Sequence, residues 1–410
     1  MKNQCIIMFC QQSWDIGIAT NARSLAREFA KDNRVLYVNM PLDVHTVFRV
    51  GRQPDVRKRL QVLAGQQPSL LQAEPNVWVL TPRGLALSIN WLPSRRLFAA
   101  LNRVNSRWLA ASIGQAAQAL GFGSYVLFQD SIIFQGLELK QLLRPKASVY
   151  YLRDYMLGVP YFRRHGPWVE ACLLEQADVV ATNSAYLGDY ARRHNPNTHN
   201  IGQGCVLGMY QADTTCPRPA DLAPVKQASL VYTGFLTALR LDIGLLLAIA
   251  RQRPHWDLVL IGPEDAAFRR SELHGLPNVY FLGAKPPEQL AAYLQHADVC
   301  INPQVLNETT LGNYPLKIDE YLAMGKPVVA THTRTMELFA QHVYLASGPA
   351  HWLQLLDRAM AEGGPSPAAD RIAFARSHTW AASVAVLYTA LDSLPMAKTL
   401  SKNDETSKKE

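Results

Sequence analysis

Residues 299–331 read VCINPQVLNETTLGNYPLKIDEYLAMGKPVVAT. A short apolar run over 299–301 leads into a polar loop. A segment with helical spacing follows, then Gly325-Lys326-Pro327 and a second apolar run over 328–330. Strand, loop, helix, glycine stop and strand make half of an open α/β sheet. The loop holds Asn302, Asn307, Thr309, Thr310, Gly312 and Asn313, and it feeds main-chain amides into a helix start at Asn313-Tyr314. Such a start favours anions, because unpaired N–H groups and the helix dipole point the same way. Lys317 and Glu320 are three residues apart on one face. A cation and a carboxylate placed there can meet a phosphate and the hydroxyls of a sugar, or form an ordinary surface ion pair.

Outward from this stretch, 410 residues are enough for two domains. A hydrophobic fraction of 48% with 18% charged residues describes a folded globular chain. No apolar run approaches the roughly 20 residues a bilayer span needs. The opening MKNQCIIMFCQQSWD has a short apolar core and no small-residue cleavage site, so it reads as a buried first strand. Cysteines at 5, 10, 172, 205, 216 and 300 show no paired metal spacing, and several sit in apolar runs. A reducing cytoplasm fits that usage. The net charge of +8 is uneven: residues 1–210 hold 23 Lys and Arg against 13 Asp and Glu, and residues 211–410 hold 18 against 20. Ten basic residues fall between Arg49 and Arg107, against Asp55 and Glu74 alone. No nucleic-acid-binding motif accompanies them. The expected partner of residues 49–107 is an anionic membrane surface, and the expected location is the cytoplasm or the inner face of the cell membrane.

Taken in order, the chain opens with a strand over 5–10, a loop over 11–17, an amphipathic helix over 21–31 and a strand over 34–39. This is a βαβ unit of a parallel sheet, in which ligands collect at the carboxyl ends of strands. Trp14 and Asp15 are candidate walls of a site there, or a packing residue and a helix cap. Residues 49–71 and 92–120 have helical patterns. In and beside the second, Trp91, Leu92, Leu97, Phe98, Leu101, Val104 and Trp108 interleave with Arg95, Arg96, Arg103 and Arg107. That pattern suits a membrane-interface helix or a core helix with a solvated basic face. Strands over 125–129, 148–152 and 179–182 end in Asp130, Asp154 and Asn183-Ser184. Asp15, Asp130 and Asp154 are therefore candidate catalytic bases, although strand-end aspartates also cap helices. Gly202-Gln203-Gly204 fails the dinucleotide-binding spacing, which leaves an oxidoreductase with little support. Residues 211–227, rich in Pro and Ala, read as an interdomain linker. Strand and helix then alternate from 230, with a loop over 234–240 and a strand over 256–261 ending at Gly262-Pro263. The domains expected are 1–210 and 228–394 on either side of that linker, with a disordered polar tail over 395–410.

Residues 315–330, PLKIDEYLAMGKPVVA, resemble the nucleotide-sugar signature of the group 1 glycosyltransferases with the GT-B fold, most closely the branch related to teichuronic-acid glycosyltransferases. The resemblance implies an α/β fold of two Rossmann-like, doubly wound parallel-sheet domains facing a cleft. It also implies a last helix that crosses back to the first domain, with Trp380 as its anchor. It assigns Glu320 to the ribose of the donor. The donor site it implies comprises Gly234, Arg240, Gly262, Pro263, Asn313, Tyr314, Pro315, Leu316, Lys317 and Glu320. Three departures stand out. Gly312 occupies the position of the family's first glutamate, Glu308 being out of register. Phe235 replaces an arginine, and Arg240 falls where a lysine is usual. Gln129-Asp130 stands where many relatives carry a histidine.

The implied activity is transfer of a sugar from a nucleoside-diphosphate sugar to a glycan or lipid-linked acceptor in cell-surface polysaccharide synthesis. Relatives mostly retain anomeric configuration. No Asp-x-Asp occurs, so charge on the leaving group would fall to Arg240, Lys317 and the helix start, with no metal or other cofactor expected. A nucleotide-sugar epimerase on the same scaffold and a non-catalytic scaffold with a degraded donor site are the alternatives.

Overall fold

The computed structural model describes residues 1–16, 20–50 and 54–395. Gly17 at the end of the first loop, residues 51–53 of the basic stretch and the tail from 396 lie outside the described residues. The chain divides into two units, residues 1–202 with the segment from Trp380 onward, and residues 203–379.

Among the described residues, the first unit is built on ten strands: β1 (Cys5–Cys10), β2 (Arg34–Val38), β3 (Leu42–Asp43), β4 (Leu70–Glu74), β5 (Val77–Leu80), β6 (Leu85–Ala86), β7 (Tyr125–Asp130), β8 (Ala147–Leu152), β9 (Val179–Thr182) and β10 (Thr198–Asn200). Eight form one sheet in the order β10-β9-β8-β7-β1-β2-β5-β4, and β3 pairs with β6 apart from it. Only β4 runs antiparallel to its neighbour. The parallel strands are covered on both faces, which is why all six residues of β8 are buried. One face packs on the Asn21–Ala30 helix and the returning Trp380–Asp392 helix, through Leu25, Phe29, Trp380 and Leu387. The other packs on the Arg95–Ala119 helix through Leu109 and Ile113.

Two expectations are corrected in this unit. The helical pattern over 49–71 resolves into helices Val44–Val50 and Pro54–Leu63 and the edge strand β4. Asn76, at φ 60°, turns the chain between β4 and β5, and a hairpin partner overrides the helix formers in Leu70–Glu74. On the Arg95–Ala119 helix, Phe98 is buried, whereas Leu97 and Val104 are exposed beside the arginines. The apolar residues are thus shared between a core face and the basic face.

The second unit holds β11 (Ala228–Thr233), β12 (Trp256–Ile261), β13 (Val279–Gly283), β14 (Val299–Asn302), β15 (Val328–Thr331) and β16 (Tyr344–Ala346). They form one parallel sheet in the order β13-β12-β11-β14-β15-β16. The order reverses between β11 and β14, and in such sheets the ligand crevice lies beyond the strand ends at that point. The chain enters this unit at Gln203, ahead of the 211–227 linker. Leu222 and Val225 within that stretch are buried in this unit's core, and Asp221 pairs with Lys285 at 2.6 Å. The helix Ala368–Ser377 is separated by His378-Thr379 from the last helix, Trp380–Asp392, which belongs to the first unit. The α/β class, two parallel-sheet domains and a returning last helix are what the chain adopts. Among the described residues, no helix is long and apolar enough to cross a membrane.

Candidate functional site

Beside the switch point, Gly234 follows β11 and Gly262 follows the neighbouring β12, with φ of +131° and +151°. Both lie where a side chain is strained, and space is also lacking. A Cβ on Gly262 would meet the Gly234 carbonyl oxygen at 1.8 Å, and one on Gly234 would meet Lys317 Nζ at 2.9 Å. The two strand ends are cross-tied, Gly234 N donating to Ile261 O at 2.9 Å and Leu236 N to Pro263 O at 2.8 Å.

Lys317 opens the helix Lys317–Ala323, so its side chain reaches back over the end of β11. Its ammonium donates to the Tyr232 hydroxyl and stands 4.0 Å from that ring's centroid. Lys317 and Gly234 therefore bring a fixed positive charge against bare backbone. The loop over 237–242 is held to the loop after β14. Val305 N donates to Arg240 O at 2.9 Å, Asn307 Nδ2 donates to Leu239 O at 2.8 Å, and Leu241 bridges to Gln304. The Arg240 side chain is exposed.

Glu320 lies one turn beyond Lys317 and is half-buried. Burial pushes its carboxyl above the ordinary range, while the nearby Lys317 charge and a hydrogen bond from Tyr210 pull the other way. Next to it, Asp319 has no exposed surface. It accepts from His378 Nδ1 at 2.6 Å, the Tyr314 hydroxyl at 2.9 Å and Cys205 Sγ at 3.2 Å.

The helix start differs from expectation. It falls at Lys317, with Leu316 before it, and Asn313-Tyr314 belong to the connection from the short Glu308–Leu311 helix. The amides of Ile318, Asp319 and Glu320 are bonded to the Pro315 and Leu316 carbonyls, so the first turn presents the Lys317 ammonium more than free amides. Tyr314 and Pro315 are buried, and Asn313 is half-buried. Gly234, Gly262 and Lys317 gather around the ends of β11 and β12, with Glu320 one turn further along the helix. Pro263 binds Leu236, and Arg240 stands in the adjoining loop.

In the first unit, Asp130 and Asp154 meet on one arginine. Arg153 Nε lies 2.7 Å from Asp130 Oδ1, and its Nη1 lies 2.6 Å from Asp154 Oδ2. Asp130 ends β7 opposite Cys10 of β1, has no exposed surface, and its carboxyl is held up by burial against the pull of Arg153. That geometry makes Asp130 an internal counter-ion, not an accessible base. Asp154 keeps 41% of its side chain exposed. Asp15 lies 3.3 Å from Lys58, and Thr20, not Asp15, caps the Asn21–Ala30 helix. Trp14 packs edge-on against Tyr37, 5.1 Å between centroids.

Sequence reasoning missed Tyr210, Tyr232, Asp319, His378 and Arg153. Asp319 lies inside the quoted motif, but on spacing alone it reads as one more surface acid. The partners that bury it come from 5, 59 and 114 positions away.

The family model for glycosyl transferases group 1 matches residues 230–359. The chain is 27% identical over 186 residues to a Bacillus subtilis (strain 168) protein named as the teichuronic acid biosynthesis glycosyltransferase TuaH, covering 43% of this chain and 46% of that one. The match thus spans about half the length of that relative. Among solved structures, sucrose-phosphate synthase from Thermosynechococcus elongatus superposes with a TM-score of 0.63 at 18% identity, covering 95% of this chain and 99% of the other. Anabaena HepE in complex with UDP gives 0.63 at 18% identity, covering 98% and 100%. With two parallel-sheet units throughout, these findings give the chain the GT-B fold, and residues 230–359 of its second unit, which include the motif at 315–330, match the glycosyl transferases group 1 family.

Proposed function

We propose that this chain transfers a sugar from a nucleoside-diphosphate sugar to a glycan or lipid-linked acceptor in cell-surface polysaccharide synthesis. The observation that carries this reading is the Lys317 ammonium held against Gly234 at the topological switch point, with Glu320 one turn beyond. In this reading the diphosphate lies over Gly234 and Gly262, where the missing side chains let it approach the backbone. Lys317 and Arg240 take its charge, and Glu320 accepts from the ribose hydroxyls. The bond between the anomeric carbon and the diphosphate oxygen breaks, and an acceptor hydroxyl oxygen bonds that carbon and passes its proton to the departing diphosphate oxygen. The nucleoside diphosphate leaves with the electron pair, stabilised by the two cations with no metal required. Retention of configuration follows the habit of the motif's relatives. That HepE, of the same fold, was solved with UDP and with UDP-glucose supports a nucleotide-sugar donor.

The acceptor side of the proposal rests on the first unit. A cavity of about 730 Å³ is lined by Asp43, Thr46, Ser88, Trp91, Leu101 and Tyr161 among others, a largely apolar wall with a few polar groups. Trp91 is 66% exposed, and Leu97 and Val104 lie exposed among Arg96, Arg103 and Arg107. An amphiphilic, lipid-linked acceptor drawn from an anionic membrane surface on the cytoplasmic side fits such a wall and rim.

The test is calorimetry of the purified chain with UDP, GDP and their sugar conjugates, followed by product formation with lipid-linked acceptors. Saturable binding that is lost in Lys317→Ala and Glu320→Gln supports the reading. Binding unchanged in both variants overturns it.

A further inference from the structure

The chain enters the second unit at Gln203 and leaves it at Thr379. Both ends of this passage are bonded to the short helix that carries Lys317 and Glu320. Near the entry, Cys205 Sγ reaches Asp319 Oδ2 at 3.2 Å, and the Tyr210 hydroxyl bonds Glu320. Near the exit, His378 Nδ1 reaches Asp319 Oδ1 at 2.6 Å. Entry and exit are also tied to each other, Cys205 N donating to His378 O at 2.9 Å.

His378 ends the Ala368–Ser377 helix, and its ring stands edge-on to Tyr314, Phe339 and Phe374. The aromatic packing sets the plane of the ring, and its Nδ1 faces Asp319 Oδ1. A carboxylate with no exposed surface needs a donor on each oxygen. Tyr314 and Cys205 serve Oδ2, and His378 serves Oδ1.

We infer that His378 is a positioning residue for the donor site: through Asp319 it fixes the 317–323 helix, and with it Lys317 and Glu320. The inference rests on the donor reading of Lys317 and Glu320 given above. Without the His378 donor, Asp319 Oδ1 would be buried and unpaired one residue from Glu320, and the helix would shift or rotate to find water. The displacement would reach Lys317, whose ammonium has its place over Gly234 only while the helix keeps its register.

The test compares His378→Leu, His378→Gln and His378→Asn in the full chain. The amide nitrogen of asparagine can stand where Nδ1 does, whereas that of glutamine falls nearer Nε2. UDP affinity by calorimetry, donor and acceptor KM, kcat and Tm are read together. Expected are a loss of about tenfold or more in UDP affinity for Leu and Gln, recovery to within about threefold for Asn, and an unchanged acceptor KM. Should a histidine variant fail to fold, Tyr314→Phe removes one donor from the same carboxylate and keeps the ring. A weaker but clear loss of UDP affinity is expected there. Wild-type UDP affinity in a folded Leu variant, or an Asn variant as weak as Leu at equal Tm, overturns the inference. Lys317→Ala is measured alongside. If it binds UDP normally, the donor reading itself fails; if it loses UDP while the His378 and Tyr314 variants do not, only the positioning role fails.

Discussion

The Gly234 carbonyl oxygen stands where a Cβ on Gly262 would have to be, 1.8 Å from it. The two strand ends approach so closely because Gly262 carries no side chain, while the Gly234 side faces the Lys317 ammonium and the Tyr232 hydroxyl. Gly262→Ala has no low-energy solution, since backbone must move against backbone at φ +151°. We expect it to destabilise the chain by about 3 kcal/mol or more in urea unfolding. Gly234→Ala meets side-chain atoms instead of backbone, the Lys317 ammonium at 2.9 Å and the Tyr232 hydroxyl at 3.2 Å. It should fold with a smaller loss and show its effect as weakened nucleotide binding. Equal stability loss in both variants would contradict this difference.

The cations of the second unit differ in their surroundings, and their variants should differ accordingly. Lys317 is fixed by Tyr232, so Lys317→Ala should lower nucleoside-diphosphate affinity by about 10- to 100-fold at any ordinary salt concentration. Arg240 is exposed, so Arg240→Ala should cost about threefold to tenfold. Its share should shrink between 0.05 and about 0.5 M salt as screening grows. Calorimetry across a salt series checks both, and an Arg240 contribution indifferent to salt would place that side chain in a buried contact.

Much of this site is legible in the sequence. The apolar runs of β11, β12, β14 and β15, the glycines at their ends and the spacing of Lys317 and Glu320 are local signals, because strand, turn and helical face are set by neighbours in sequence. What stayed hidden depends on residues that meet only after folding. Nothing near Asp319 announces His378, 59 positions on. The 211–227 stretch has linker composition, yet Leu222 and Val225 find a core that only tertiary structure provides. Leu70–Glu74 carries helix formers and becomes a strand because β5 offers an edge to pair with. Asp130 illustrates the same limit for chemistry. A strand-end aspartate looks available until Arg153 and complete burial are seen together.

That ion pair makes its own prediction. Arg153→Met leaves the Asp130 carboxyl buried without a counter-charge, and breaking such a pair costs about 3–5 kcal/mol. The double variant Asp130→Asn, Arg153→Met removes the stranded charge as well and should recover a large part of the loss. Urea unfolding of the two singles and the double closes the cycle. A double variant no more stable than Arg153→Met would show that the arginine acts through packing or Asp154 and not through Asp130.

Glu170 gives the first unit a dependence on pH. It has no exposed surface and receives one hydrogen bond, from Tyr190 at 3.0 Å, while its other oxygen has no partner among the described residues. Burial pushes the carboxyl up to about 7, against an ordinary value of 4.5, with the Tyr190 hydrogen bond opposing. A carboxyl raised in the folded state binds its proton more tightly there than in the unfolded chain. Its contribution therefore favours folding at low pH and is lost as pH rises from about 4.5 to about 7, a change of about 3 kcal/mol over that window. Glu170→Gln keeps the shape and removes the titration. The stability of the variant relative to the parent should rise steadily between pH 4.5 and 7 and level off above, as measured by urea unfolding at half-unit steps. A difference between the two proteins that stays flat across the window would mean that Glu170 ionises at its ordinary pH, with water reaching the unpartnered oxygen.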